Sequence, residues 1–153
     1  MTGELAPLTA DRSSAYMPES AHTGRCLCGA VRYRSGPLLY PPTVCHCESC
    51  RRAAGSHAVA WATVRLDGFA YTAAQPVGFA SSPGVLREFC GTCGTPLTYR
   101  RAGRDGEVDI GVATLDRPHA ISPADHIWME DALPWDLPGD GLPQHPRSRD
   151  PAA

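Results

Sequence analysis

Cysteine is the residue type in this sequence with the clearest chemistry, and its seven copies fall into three short motifs. The motifs are Cys26-x-Cys28, Cys45-x-Cys47-x-x-Cys50 and Cys90-x-x-Cys93. Thiols at such spacings are typical of metal sites and of redox centres. A tetrahedral zinc ion with Zn–S bonds of about 2.3 Å holds its sulfur atoms roughly 3.8 Å apart, in pairs from distant chain segments. The next question is therefore which of the three motifs share an ion.

The first and third motifs fit together as one four-thiolate site. In a straight strand Cys26 and Cys28 would lie about 6.5–7 Å apart, too far to share an ion, so the chain must curl there. Gly29 makes that curl easier, and Gly91 and Gly94 allow a tight turn around the third motif. Buried free thiols or a redox pair are the alternatives. The predicted ligands of this structural zinc are Cys26, Cys28, Cys90 and Cys93.

The middle motif is left with three thiols, Cys45, Cys47 and Cys50. Three protein ligands and one exchangeable position are the pattern of a catalytic zinc, whose fourth place is taken by water or substrate. Arg51 and Arg52 follow directly and would favour thiolate over thiol and attract an anionic ligand such as a thiol substrate. The motif therefore predicts a second zinc with a site for chemistry.

Two other interpretations of the middle motif stay open. His46, Glu48 or His57 can supply a fourth ligand and make a second inert site; His46 is also a candidate proton relay, and as good a candidate for a plain structural imidazole. Cys47 and Cys50 form a C-x-x-C, the pattern of a thiol–disulfide centre. The strand–C-x-x-C–helix unit in a parallel sheet that usually accompanies such a centre is missing from the sequence.

Length, composition and charge limit the partners and the cellular location that we expect for this protein. At 153 residues one domain is expected, and the net charge of −2 gives no reason to expect nucleic acid or a membrane surface as partner. No apolar run reaches the roughly 20 residues that span a bilayer, and the N-terminus does not resemble a secretory signal. We therefore expect a cytoplasmic protein with reduced cysteines. The sequence contains neither Lys nor Asn, which excludes Schiff-base lysine chemistry and a Cys-His-Asn triad.

The pattern of secondary structure is mainly β. Seven segments combine β-branched or aromatic residues with a turn residue at the edge. They are 30–35, 57–65, 68–72, 76–82, 86–90, 96–100 and 107–115. Residues 47–54 are predicted to form a short helix and 124–135 one further helical turn, and Asp109 is expected to be solvated. Residues 1–20 and 139–153 are expected to be flexible tails around one domain, 21–138.

The segments "TGRCLCGAVRY", "CHCESCRRAAG", "REFCGTCGTPLTYR" and "HIWMEDALPW" together resemble the glutathione-dependent formaldehyde-activating enzyme and centromere protein V family. The resemblance covers about residues 22–136 and implies an Mss4-like fold of antiparallel sheets organised around zinc, with very short helices. It also implies a structural zinc on the first and third motifs and a catalytic zinc on the middle one. The last segment, with His126, Trp128 and Trp135, would pack near the active site, although a closing edge or an oligomer contact fits it equally.

The family resemblance implies a carbon–sulfur lyase-type reaction, the assembly of S-(hydroxymethyl)glutathione from glutathione and formaldehyde. Another low-molecular-weight thiol or another aldehyde stays open as the substrate pair, as does a homo-oligomeric state. Two rivals stay open as well. One is a non-catalytic, zinc-stabilised interaction module in which both metal sites are closed. The other is a thiol redox or zinc-buffering protein with a reversible Cys47–Cys50 disulfide.

Overall fold

Short strands separated by turns dominate the chain, as expected from its 15 glycines and 15 prolines. A computed structural model describes residues 20–149, which form ten β-strands, one α-helix and four short 3₁₀ segments. The predicted mainly-β fold is confirmed. No helix in this part of the chain is long and apolar enough to cross a membrane.

The elements follow one another along the chain with little connecting structure. They are β1 (His22–Arg25), β2 (Arg32–Ser35), β3 (Thr43–Cys45), α1 (Glu48–Ala54), β4 (Val59–Arg65), β5 (Ala70–Tyr71), β6 (Val77–Ser82), β7 (Val85–Phe89), β8 (Pro96–Arg101), β9 (Glu107–Gly111) and β10 (Asp125–Ile127). They build a three-stranded sheet in the order β1-β2-β5 and a seven-stranded sheet in the order β10-β3-β4-β9-β8-β7-β6. Every pair is antiparallel except β10 with β3.

Strand β4 shows how the large sheet divides the interior. Ala62 and Val64 are fully buried in the main core, together with residues of β2, β8 and β9. Trp61 faces the other way and packs in a smaller cluster with the middle cysteine motif. Because successive side chains of a strand point to opposite faces, one strand supports both the core and the candidate site.

The sequence-based strand predictions are recovered with small changes in their ends, whereas three short strands went unpredicted. The predicted strand 107–115 ends at Gly111 and continues as a 3₁₀ turn. The one helical turn predicted within 124–135 is present as a 3₁₀ segment at Met129–Asp131, whereas the start of this stretch forms β10. The parallel pairing of β10 with β3 overrides the local pattern there.

Asp109 was expected to be solvated, and this prediction is wrong. The residue is only 8% exposed on β9. Its carboxylate accepts hydrogen bonds from the Thr63 hydroxyl at 2.6 Å and from Arg104 Nη1 at 2.8 Å. The alternation of β9 alone could not reveal this, because the residues that satisfy the carboxylate come from other segments.

The predicted C-terminal tail, 139–153, is described up to residue 149. That part runs beside β10: the His126 amide donates to Pro143 O at 2.9 Å and the His145 amide donates to His126 O at 2.8 Å. Arg149 pairs with the carboxylate of Asp125. Residues 150–153 and nearly all of the predicted N-terminal tail, 1–19, lie outside the described residues.

Gly24 on β1 offers a test of the packing between the sheets. A Cβ atom there would lie 2.3 Å from the ring and hydroxyl of Tyr33 and 2.6 Å from Thr114 O. Tyr33 is buried and its hydroxyl is held by Thr114 Oγ1 at 2.7 Å, so it has little room to move. We expect Gly24→Ala to lower the free energy of unfolding by about 1–3 kcal/mol, the usual cost of overpacking.

Urea unfolding followed by tryptophan fluorescence, at fixed zinc concentration, measures this loss. Gly36→Ala is the matched control, because a Cβ at Gly36 meets nothing within 4 Å. Equal stability of the two variants would contradict the close approach at Gly24.

Candidate metal centres

The first and third cysteine motifs meet in the structure, although 62 residues separate Cys28 from Cys90. The first motif forms the turn after β1, and the third forms the turn after β7. All four sulfur atoms lie within 4.8 Å of one another, with Cys26 and Cys28 3.5 Å apart and Cys28 and Cys90 3.8 Å apart. These separations fit a tetrahedral ion with four thiolates, for which about 3.8 Å is expected.

Both turns curl in the same way. The amide of Gly29 donates to Cys26 O at 3.0 Å and that of Gly94 donates to Cys90 O at 2.8 Å. Each glycine has a φ of 76°, which side chains with a Cβ rarely adopt. The curl predicted for the first motif is therefore confirmed, and both pairs of sulfurs point into one space.

Hydrogen bonds to sulfur favour the thiolate form of Cys26 and Cys93, whereas contacts with these two sulfurs raise the pKa of Cys28 to about 11. The Val31 amide donates to Cys26 Sγ at 3.3 Å. The Thr95 hydroxyl, 3.2 Å from Cys93 Sγ, and the Thr95 amide lower the pKa of the Cys93 thiol to about 5. Four thiol groups this close fit a divalent cation, which replaces their protons and compensates their charge. Cys26 and Cys90 are 1% exposed and belong to the main core, whereas Cys28 is exposed and Cys93 half-buried. An ion here would join the two sheets at the edge of that core.

The middle motif builds a second cluster at the start of α1. Cys45 ends β3, Cys47 is the N-cap residue and Cys50 lies in the first turn, where its amide donates to Cys47 Sγ at 3.3 Å. The three sulfur atoms lie within 4.8 Å of one another. Among residues 20–149 no further cysteine, histidine or carboxylate completes this group.

The side chains considered as a fourth ligand are engaged elsewhere. Glu48 accepts a hydrogen bond from Arg52 Nε at 2.7 Å, and the His57 ring pairs with Asp136. His46 Nε2 lies 2.9 Å from His126 Nδ1. In the part of the chain that the structure describes, the second cluster thus offers three ligands for a metal ion and no fourth.

Protons and negative charge are unevenly shared among the three thiols. The pKa of Cys50 is lowered to about 2, because Cys45 and Cys47 donate hydrogen bonds to its sulfur, with a further contribution from Arg87. The pKa of Cys45 is raised by the same hydrogen bonds and by burial. All three sulfurs can be thiolates together only if a cation joins them, so the donor set fits a thiophilic divalent metal.

A line of imidazoles extends from this cluster. The Asp140 carboxylate, whose pKa is lowered by the Leu142 amide and by His126, lies 3.0 Å from His126 Nε2. If His126 Nε2–H donates to Asp140, its Nδ1 is an acceptor and His46 Nε2–H donates to it. His46 Nδ1 then carries a lone pair, and this buried atom has no partner among residues 20–149. Burial, and secondarily His126, lower the pKa of His46 and favour this neutral form.

Aromatic side chains cover most of the second cluster. Trp61, Tyr99 and Trp128 pack against it, and Trp128 has the left-handed φ of 59°, a strained conformation for a residue with a Cβ. Cys45 and Cys50 are buried, whereas Cys47 is half-buried. A ligand therefore reaches the sulfurs from the side of Cys47.

A cleft of about 660 Å³ lies along α1 next to this opening. Its lining includes Arg51, Arg52, His57, Leu133 and Trp135, and none of the cysteines. The Arg51 amide donates to Cys47 O at 3.1 Å, which places Arg51 one turn beyond Cys47 on the same side of the helix. Trp135 is 73% exposed. The two predicted arginines thus line a surface beside the cluster without touching its sulfurs.

Sequence reasoning missed several residues around the second cluster. Arg87 of β7 reaches Cys50, Asp140 anchors His126, and Asp136 pairs with His57. The stretch "REF" on a strand gives no sign that its arginine is buried. Of the late segment, Trp128 packs against the cluster, His126 contacts His46, and Trp135 lines the cleft.

A relative and a solved structure share parts of these features. The chain is 34% identical over 86 residues to an uncharacterized lyase of Schizosaccharomyces pombe, an alignment that covers 54% of this chain. The chain spans 58% of the length of that relative. A crystal structure of a Rhodobacter sphaeroides protein from a structural genomics programme superposes with a TM-score of 0.53 at 24% identity, covering 80% of this chain and 98% of that one. This likeness supports the fold.

The sequence pattern of one family matches residues 21–131, which include both cysteine clusters and most of the two sheets. Its description is glutathione-dependent formaldehyde-activating enzyme. The match covers well over half of the chain. The chain therefore belongs to the family of glutathione-dependent formaldehyde-activating enzymes.

Proposed function

We propose that the protein is a zinc-dependent carbon–sulfur lyase-type enzyme that acts on a thiol–aldehyde adduct. The reaction suggested by the family is formation of S-(hydroxymethyl)glutathione from glutathione and formaldehyde. One observation carries the proposal: three cysteines converge beside an arginine-lined cleft, and the described chain supplies them with no fourth ligand. A closed site would serve stability alone, whereas an open one can accept a substrate thiol.

In this proposal the two clusters have different roles. Cys26, Cys28, Cys90 and Cys93 would hold a structural zinc, and Cys45, Cys47 and Cys50 a second one. When bound at the open site, zinc supplies Lewis acidity that favours the thiolate form of a thiol and polarises an aldehyde oxygen.

The reaction itself is an addition that neither oxidises nor reduces. The thiol sulfur forms a bond to the aldehyde carbon, the C=O π bond breaks, and the thiol proton ends on the former carbonyl oxygen. His46 is the candidate to hold that proton at Nδ1, since Asp140 and His126 direct its other nitrogen away. The reverse direction breaks the same carbon–sulfur bond and returns the proton to sulfur.

The cleft suggests how a thiol such as glutathione is recognised. Arg52 is already paired with Glu48, whereas Arg51 Nε is bound only to the carbonyl oxygen of His46 at 3.0 Å. A guanidinium with unused donors binds a carboxylate in bidentate fashion. We therefore assign Arg51 to a carboxylate of the thiol, with His57 and Trp135 as further walls of the cleft.

Metal content tests the division of roles. We expect two zinc ions per chain by native mass spectrometry, and we expect Cys47→Ser to lose one of them while the far-ultraviolet circular dichroism stays unchanged. Cys90→Ser should instead remove the ion in the core and, with it, cooperative unfolding, since structural zinc contributes folding free energy directly. If the unaltered, zinc-replete protein holds one ion, the open-site assignment is wrong, and a redox or zinc-buffering role for the middle motif gains ground.

Substrate recognition gives a second test. Since the addition of glutathione to formaldehyde proceeds without an enzyme, its acceleration is measured as line broadening in NMR exchange spectra at equilibrium. We expect Arg51→Gln to raise the KM for glutathione about tenfold, the usual loss when a hydrogen bond to a charged group is removed.

Arg117→Gln is the control for this measurement, because Arg117 is exposed and does not line the cleft. An active protein whose KM does not respond to Arg51→Gln would show that the thiol binds elsewhere. Absence of any acceleration, with two zinc ions bound, would favour a closed interaction module.

A further inference from the structure

Arg87 is the only buried arginine among residues 20–149, at 9% exposure. None of the ion pairs formed in that part of the chain includes it. A guanidinium taken out of water without a counter-charge is costly, and such groups in folded proteins are paired. The position of Arg87 on β7 therefore requires a negative partner that is not a carboxylate.

The contacts of Arg87 identify that partner. Its Nη2 donates to Ser49 Oγ at 2.9 Å and approaches Cys50 Sγ at 3.7 Å, and its guanidinium lies over the Tyr99 ring at 4.7 Å. Ser49 is neutral, and the ring offers only the weak negative field of its π face. The cysteine sulfur is the one contact that can carry a full negative charge.

We infer that Arg87 is the permanent counter-ion of the three-cysteine site, and that it thereby sets how strongly the site holds its metal and how readily a thiolate joins it. The inference rests on the proposed second metal. A divalent ion with three thiolates has a net charge of −1, and Arg87 brings the group to zero. Binding of a thiolate then brings the net charge of the group to −1 with Arg87 present and to −2 without it. Binding of a neutral ligand adds no charge in either case.

Arg87 acts as a positioning residue, because it touches a ligand of the metal and not the reacting atoms. Because the Arg87 side chain extends from β7 to the first turn of α1, it also fixes the position of Cys50 relative to the sheet. A role in packing alone would need the bulk of the side chain and the contact with Tyr99. A counter-ion role needs the charge.

The zinc-loaded full chain tests this through three variants. Arg87→Leu removes the charge and keeps an apolar side chain, Arg87→Lys keeps the charge, and Arg101→Leu changes an exposed arginine of β8 in the same sheet. Competition with a chromophoric chelator measures the affinities of the two ions. We expect Arg87→Leu to weaken the second ion about 10- to 100-fold, the usual effect of losing a group that supports a metal ligand. The ion in the core serves as internal control and keeps its affinity.

Cobalt substitution supplies a readout that a change in packing alone would not alter. Titration of the cobalt-loaded protein with 2-mercaptoethanol and with imidazole, followed by the visible bands of cobalt, compares an anionic with a neutral fourth ligand. We expect Arg87→Leu to lower the affinity for the thiolate relative to imidazole about tenfold or more, and Arg87→Lys to restore most of it. Arg101→Leu should match the unaltered protein.

Three results would overturn the inference while leaving the proposed function in place. The first is an unchanged second ion and an unchanged thiolate preference in Arg87→Leu. The second is an equal loss in the leucine and lysine variants, and the third is a parallel loss at both metal sites. A single zinc per unaltered chain is a different outcome, because it removes the second site and the proposed function with it.

Discussion

The constraint on which both cysteine clusters depend is the repulsion between thiolates held a few ångströms apart, which a bound cation would relieve. Each cluster brings sulfurs within 4.8 Å of one another, and in the first they come from two turns far apart in the sequence, after β1 and after β7. No hydrophobic contact would assemble four thiols at that spacing, because as thiolates they repel and as thiols they gain little. A divalent ion turns the same arrangement into a cross-link between a three-stranded sheet and a seven-stranded one. For a domain of this size, whose core is small, such a cross-link is a large share of the stability.

The two clusters differ in what surrounds them, and strand β4 marks the boundary. On one of its faces the core contains Cys26 and Cys90, which together with the exposed Cys28 and the half-buried Cys93 offer four thiolates to an ion. On the other face Trp61 and Trp128 cover a cluster whose third sulfur, on Cys47, remains half-buried. The two clusters therefore differ in their number of sulfur ligands, four against three, since each also has a sulfur that is not fully buried. Placing Cys47 at the N-cap of α1 adds amide donors to the accessible side.

Much of this was predictable because cysteine spacing is a local property of the sequence. The curl at Cys26, the short helix after Cys47 and most strands follow from nearby residues and turn glycines. The parallel pairing of β10 with β3 did not, since three residues give no periodicity and their partner lies about 80 positions away. Arg87 was missed and Asp109 was predicted wrongly for a related reason: each looks like an exposed strand residue until Cys50 and Thr63, from distant segments, are in place. Buried charges are the features that pattern reasoning is least able to find, because their neutralisation is entirely tertiary.

The separation between the cleft and the sulfurs limits which thiols can be substrates in the proposed function. Arg51 stands one helical turn beyond Cys47, a rise of about 5.4 Å, so a ligand that uses both must carry an anionic group several bonds from its sulfur. A cysteine residue within a short peptide has this form, with its thiol in the middle and a carboxylate beyond the next residue. A simple alkyl thiol could reach the metal but would leave Arg51 unused. Recognition would then rest on the length between sulfur and carboxylate, while the charge of Arg87 admits the sulfur as thiolate. Arg51 on α1 and Arg87 on β7 would thus act on two ends of one molecule, its carboxylate and its sulfur.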